Sequence, residues 1–254
     1  MYDIQKSGMG KRISAFLFDI IIFAILAVGV AFLFSAILGY NSKLEEMEAH
    51  YDKYSEEYGI VLDISESEFE ELSEEEKARF NEANEAIIKD DEVQALYSAI
   101  INLSLVILTL SILVATLILE FAVPLFFGNG QTLGKKIFAV AVVRSDSVKV
   151  TPVILFIRSV LGKFTIETMA PVMILFMIFF ANAGFYGTLS LVLLIGFNVA
   201  SMIFTKNNCM IHDLLANTVA VEMSTQMIFE TADEMLAYKK RIHEAAVERA
   251  KTTY

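Results

Sequence analysis

The sequence predicts an all-α polytopic membrane protein with four transmembrane helices. Three observations lead there. The chain is 56% hydrophobic over 254 residues, with a mean hydropathy of +0.56, too apolar for a soluble domain of that length. Four apolar runs, 13–38, 98–125, 167–183 and 188–204, are long enough to be read as spans. The segments between them alternate between basic and acidic or short, the charge pattern of a chain that crosses a membrane repeatedly.

The first run, 13–38, carries Asp19 about two turns inside it, with Arg12 at its mouth. A carboxylate in a span costs roughly 2.5–3.5 kcal/mol on insertion scales, so it faces protein or water and marks a functional candidate. Seven residues are nearly two helical turns, so Arg12 and Asp19 share one face about 10 Å apart along the axis. That is too far for a direct salt bridge, and each charge needs a partner from elsewhere. The run is too long, and its aspartate too atypical, for a cleaved signal peptide.

Residues 41–92 form an inserted acidic segment, expected as an extracytoplasmic helical hairpin. Leu44, Met47, Tyr51, Tyr54 and Tyr58 recur at three- and four-residue steps as one apolar stripe. Gly59 ends that helix. Ser65 with Glu68, and Ser73 with Glu76, fit capping boxes. Phe69 and Leu72 form a short patch, and the stripe of Phe80, Ala83 and Ile87 is expected to run straight into the second span. The acidic surface reads either as an antenna for cations or a partner or as a solvated face. No EF-hand spacing is present.

The second span, 98–125, is interrupted by Ser104, Thr109, Ser111, Thr116 and Glu120; its hydroxyls can bond the helix's own carbonyls. Gly128, Gly130 and Gly134 then precede Lys135 and Lys136, but the spacing is wrong for a phosphate loop. Thr132 suits a cap and Gly134 close packing. Residues 137–144 and 148–150 are expected to pair across a Ser145-Asp146-Ser147 turn as a small cytoplasmic β-ribbon. Thr151-Pro152 fits a helix start. That helix, with Arg158 and Lys163, is expected at the membrane surface. The third span, 167–183, has Pro171 near its start, and Asn182 to Gly187 make a tight turn to the fourth. Residues 226–251 read as a cytoplasmic tail helix with a weak apolar side of Ile228, Met235, Leu236, Ile242 and Ala246.

Basic residues set orientation. Lys6, Lys11 and Arg12 precede the first span, Lys135 to Lys163 lie between the second and third, and Lys206 follows the fourth. Both termini are therefore expected in the cytoplasm of a multi-pass protein of the plasma membrane. The net charge of −11 belongs to the insertion. With no tryptophan, Tyr and Phe serve as interfacial aromatics, and the lone Cys209 forbids an internal disulfide. Neither a cofactor nor a nucleic-acid partner is expected.

Four pieces, in this order, carry a resemblance. They are Arg12-Ile13-Ser14-Ala15-Phe16-Leu17-Phe18-Asp19, then Gln131-Thr132-Leu133-Gly134-Lys135-Lys136, then Arg158, then Ile211-His212-Asp213-Leu214-Leu215-Ala216-Asn217-Thr218-Val219-Ala220-Val221. Together they resemble the RDD family of membrane proteins, whose name refers to an Arg and two Asp residues. The matches here are Arg12, Asp19 and Asp213. The resemblance covers 11–221 apart from the insertion, leaving 226–254 as the tail. It departs at Leu133, where the family often has Pro, and in the approach to the His-Asp pair, here Lys206-Asn207-Asn208-Cys209-Met210. The resemblance implies transport, with sodium–proton antiport proposed for some members.

The candidate site is thus a charge network of Arg12, Asp19, Arg158, His212 and Asp213, with Glu120, Thr132, Gly134 and Lys135 beside it. Asp19 is expected to pair with Arg158 or a loop lysine, and Arg12 with Asp213. One role is cation or proton binding, with protons and monovalent cations as partners; the other is to staple the bundle. A small transporter or antiporter is one class of function. The alternative is a membrane scaffold or accessory subunit using the hairpin and the tail helix for partners. A homo-oligomer fits either class. An enzyme is not expected, because His212-Asp213 lacks a nearby nucleophile and no zinc spacing exists.

Overall fold

Among the described residues of the computed structural model, four helices are long and apolar enough to cross a membrane: Met9–Ile37, Asp91–Phe127, Pro152–Phe179 and Gly184–Phe204. The structure describes residues 4–179 and 184–252. In chain order the elements are α1 (Met9–Ile37), α2 (Tyr40–Tyr58), α3 (Glu66–Glu71), α4 (Glu74–Lys89), α5 (Asp91–Thr116), α6 (Val123–Phe127), α7 (Leu133–Ile137), β1 (Val140–Arg144), α8 (Pro152–Phe156), α9 (Ala170–Phe179), α10 (Gly184–Phe204), α11 (Ile211–Leu215), β2 (Thr218–Glu222) and α12 (Ala232–Thr252). Two wide-turn π segments, Leu117–Ala122 and Ile157–Met169, join α5 to α6 and α8 to α9. The chain divides into two compact units, residues 1–27 with 112–254, and residues 28–111.

Both π segments have a cause in the sequence. Pro124 follows Glu120 by four residues, and Pro171 follows Glu167 by four. Proline has no N–H to return to the carbonyl four residues back, and its ring collides with that carbonyl. The regular ladder fails there, and the helix widens around the acid. In the longer segment Thr165 donates to Val160 O at 2.8 Å and Thr168 to Lys163 O at 2.9 Å. Hydroxyls thus occupy carbonyls five residues back. The surface helix expected from Pro152 and the third span are one continuous helix.

In the unit of residues 28–111, α2 packs on α4. Leu62, Ala83, Ile87 and Val93 form the core, with Met47, Tyr54, Tyr58 and Phe80 against it. Leu44 and Tyr51 stay exposed, so the apolar stripe is only partly used. Gly59 ends α2 in the left-handed region at φ 61. Both capping boxes form, at Ser65–Glu68 and Ser73–Glu76. Phe69 meets Phe80 at 5.0 Å between ring centroids. The stripe through Ile87 does not run on into α5. Asp90 breaks it in an extended conformation and caps α5 by accepting from Glu92 N at 2.8 Å. The other carboxylate oxygen of Asp90 accepts from the Tyr54 hydroxyl at 2.8 Å. That bond pushes the Tyr54 phenol up to about 12 and lowers Asp90.

In the other unit, the ribbon pairs β1 antiparallel with β2, in register Val140↔Glu222 to Arg144↔Thr218. This corrects the expected pairing with 148–150, which makes only a single bridge, Val143↔Lys149. The 137–144 run is also shorter as a strand, because Ile137 still belongs to α7 and Ala139 turns the chain at φ 55. Ala141, Val143, Val219, Val221 and Cys209 form a buried face. Burial pushes the Cys209 thiol up to about 11, which leaves it protonated and inert. The N-terminal segment adds at the β2 edge, with Glu222 N donating to Gln5 O at 2.8 Å.

The tail helix starts at Ala232, not at 226. Before it Phe229 bridges to Val148, with Lys149 N donating to Phe229 O at 2.9 Å. Met235 then packs on Val148, Phe229 and Tyr238. Gly184, Phe185, Tyr186 and Gly187 begin α10 rather than forming the expected turn; Asn182 and Ala183 lie outside the described residues.

Candidate functional site

Asp19 lies on α1 at 4% exposure and finds its partners far along the chain. One carboxylate oxygen accepts from Gly134 N at 2.8 Å, the other from the Thr132 hydroxyl. The same Thr132 caps α7, accepting from Lys135 N at 3.4 Å. Asp19 is therefore a second acceptor at the start of α7, where backbone N–H groups point outward. Gly134 permits the approach: a Cβ there would sit 2.3 Å from Ala15 O and 3.0 Å from the Asp19 carboxylate.

This corrects one expected pairing. Among the described residues no ion pair joins Asp19 to Arg158 or to a loop lysine. Lys135 instead reaches Thr132 Oγ1 at 3.4 Å and Glu120 at 3.6 Å. Burial pushes the Lys135 ammonium down to about 8, against the pull of Glu120.

Glu120, 3% exposed, is ringed by three cations. Lys163 donates to it, Lys135 lies at 3.6 Å and Arg158 at 3.8 Å. Arg158, also 3% exposed, spends its planar fork on three groups. Its Nε donates to Asp213 at 3.0 Å, one terminal nitrogen meets His212 Nε2 at 2.9 Å, and the other faces Glu120. A lysine could not replace this, because it presents a single point charge.

The protonation of His212 follows from its two contacts. Arginine has donors only, so His212 Nε2 accepts from Arg158. The ring proton then sits on Nδ1, which donates to Glu167 at 2.7 Å. The other oxygen of Glu167 accepts from the His212 backbone N at 2.9 Å. Gly162 lets α11 lie directly on the wide-turn helix: a Cβ there would stand 2.6 Å from His212 Cβ.

Asp213 accepts from Arg158 and from the Thr218 hydroxyl at 2.9 Å. Burial would raise its carboxyl, but the surrounding positive groups and hydrogen bonds hold it well below the usual range. Arg12 reaches Asp213 at 3.9 Å as expected, yet its closer bond goes to Asn208 O at 2.7 Å.

Asp19, Glu120, Glu167 and Asp213 thus balance Arg12, Lys135, Arg158 and Lys163. Most of these charges, with His212 and apolar residues such as Phe16 and Met202, line a cavity of about 400 Å³. Every sequence-expected residue belongs to this unit, and Arg12, Arg158, His212, Asp213, Glu120 and Lys135 meet directly. Asp19, Thr132 and Gly134 form an adjoining cluster joined to it through Lys135.

A model described as the RDD family matches residues 6–217. The chain belongs to the RDD family. Among curated proteins and solved structures none matches the chain. Arg12, Asp19 and Asp213 divide between the two clusters, Arg12 beside Asp213 and Asp19 at α7. This is an RDD membrane protein, but the matched family does not name its activity.

Glu167, Lys163 and Thr218 complete the network and were not expected in it. A signal for Glu167 existed: like Glu120 it stands four residues before a proline. Regular helical geometry hid it. Arg158 and Glu167 are nine residues apart, and at 100° per residue they would lie about 180° apart around an α-helix. The π winding brings both onto His212.

Proposed function

We propose that this RDD protein exchanges a monovalent cation for a proton, with His212 and Glu167 carrying the proton and Asp19 the cation. The observation behind this reading is the wedging of His212 between an acceptor, Glu167, and a donor, Arg158. A second ring proton on Nε2 would face the guanidinium, so the Arg158 contact must break when the imidazole charges. Asp213 lies 3.5 Å from the same nitrogen and would receive the new N–H. Arg158 is then released towards Glu120. Asp19 is held by neutral donors and lines the cavity, so a cation there would compete with Lys135 for its field. The reading places both termini in the cytoplasm and the acidic hairpin outside the plasma membrane, supported by Lys6, Lys11, Arg12 and Lys206 beside the span ends. It needs no cofactor and assigns no enzymatic step. A narrow four-span chain would function as a homo-oligomer.

A second reading is favoured by the balance of the network, four carboxylates against four cations. The charges would then staple a scaffold or accessory subunit, with the acidic hairpin and α12 for partners. Breaking one member of a buried pair costs roughly 3–5 kcal/mol, so stability alone explains much of the cluster.

Proteoliposomes of the full chain separate the two. With a trapped pH dye and an imposed proton gradient, addition of Na⁺, K⁺ or Li⁺ should move protons. Asp19→Asn and His212→Gln should abolish the movement while still folding. No cation-dependent movement by the native chain, or native behaviour of Asp19→Asn, rules out exchange and leaves the scaffold.

A further inference from the structure

The protein has a second cavity, of about 420 Å³, lined by Lys6, Lys206 and Lys239 from three different parts of the chain. It is independent of the exchange proposed above. Lys6 lies three residues before α1, Lys206 two residues after α10, and Lys239 on α12.

Among the described residues no carboxylate pairs with any of the three ammonium groups. Neighbouring lysines differ: Lys11 pairs with Glu222 at 2.8 Å and Lys149 with Glu230 at 2.9 Å. Among the described residues Asp146 is the one carboxylate lining the cavity, and Arg144 holds it at 2.8 Å while Val148 N donates to it. Lys6 donates to Lys206 O at 2.7 Å and to Asn208 at 3.4 Å. Those neutral acceptors fix its ammonium without cancelling the charge. Three lysines gathered around one hollow make a local positive field there.

We infer that this cavity binds a phosphoryl group carried by a larger molecule. Lysine is a point-charge phosphate ligand. Ser145, Ser147 and Asn207 add neutral polar residues to the lining, with the Ser147 hydroxyl accepting from Gln226 Nε2 at 3.2 Å. The volume is within the range of small-molecule sites, and Ile4 and Phe229 supply apolar lining. Two lysines stand within three residues of the ends of helices long and apolar enough to cross a membrane, and basic residues beside span ends meet lipid headgroups. A phospholipid headgroup and a soluble phosphorylated molecule share this chemistry.

The test uses the full chain purified in a neutral detergent, and its thermal unfolding. One arm adds inorganic pyrophosphate. The other adds short-chain phosphatidylglycerol, with phosphatidylcholine of equal chain length as the control. A saturable rise in Tm with pyrophosphate identifies a soluble ligand; a rise with phosphatidylglycerol alone identifies a headgroup; either supports the site. Lys206→Gln with Lys239→Gln should weaken the effective probe about thirtyfold, roughly fivefold per ammonium removed. Both side chains are exposed, so the variant should unfold at the native temperature without probe. The single Lys239→Gln variant gives the same reading should the double one fold poorly. No rise in either arm, an equal rise with phosphatidylcholine, or an undiminished response in the variants overturns the inference.

Discussion

Replacing Asp19 with Asn tests how this charge is accommodated within an apolar helix. The substitution keeps the shape and removes the charge. Asp19 accepts two hydrogen bonds, from Gly134 N at 2.8 Å and from the Thr132 hydroxyl. Each bond to a charged group is worth about 1.5–3 kcal/mol, against about 0.5–1.5 for a neutral pair. The amide retains one bond to Gly134 and presents an NH₂ where Thr132 donates, so its hydroxyl must turn. The expected loss is about 2 kcal/mol, with no discount for solvent because Asp19 is 4% exposed. At roughly 2–4 °C per kcal/mol for a chain of this size, Tm should fall by about 4–8 °C. A double-mutant cycle with Thr132→Val in detergent isolates the shared bond, with an expected coupling of about 1–2 kcal/mol. A change in Tm of Asp19→Asn below about 1 °C, together with strict additivity, would refute the reasoning.

Three further outcomes are expected. Gly162→Ala puts a Cβ 2.6 Å from His212 Cβ, so α11 must shift; overpacking of this kind costs about 1–3 kcal/mol, and an unchanged Tm would count against the contact. Tyr54 is held at about 12, above its ordinary value of 10.0. Its bond to Asp90 therefore stabilises the fold below pH 10, and that contribution is lost as pH rises through 12. The tyrosinate absorbance missing from Tyr54→Phe should titrate near 12 and move down in Asp90→Asn; a Tyr54 midpoint unaltered by Asp90→Asn would contradict this. Lys135 is held at about 8, below its ordinary 10.5. The native chain then binds fewer protons than the unfolded one between these values, so the Lys135 contribution to stability grows with pH across that window. Tm of the native chain minus that of Lys135→Met should climb from pH 8 to 10, and a flat difference would exclude it.

Much of the local structure was legible because it rests on nearby residues. Ser65 and Ser73 with their glutamates, Thr132 before Gly134, and Thr151 before Pro152 are caps whose partners lie within a turn. The spans were legible from apolar length. The strand partner of β1 was not, because Thr218 to Glu222 are as apolar as Val148 to Val150 and only the return of the chain after α11 selects them. The break at Asp90 was not legible, because a hydrophobic stripe says nothing of a break when the apolar spacing continues past it.

The sequence by itself determined that four apolar stretches cross a membrane, and that Arg12, Asp19 and Asp213 are costly residues needing company. Burial of charge in an apolar medium is unfavourable wherever the chain goes, so composition and length suffice for that much. Only the tertiary structure decided which charges meet. Asp19 takes a hydroxyl and a backbone N–H rather than an arginine, because Gly134 lets α7 approach α1 more closely than any other residue would. Arg158 and Glu167 reach the same histidine because the helix between them is wound more widely than the regular period assumes. Pairing depends on distance in space, and a change of winding over thirteen residues rearranges every face that a fixed period assigns.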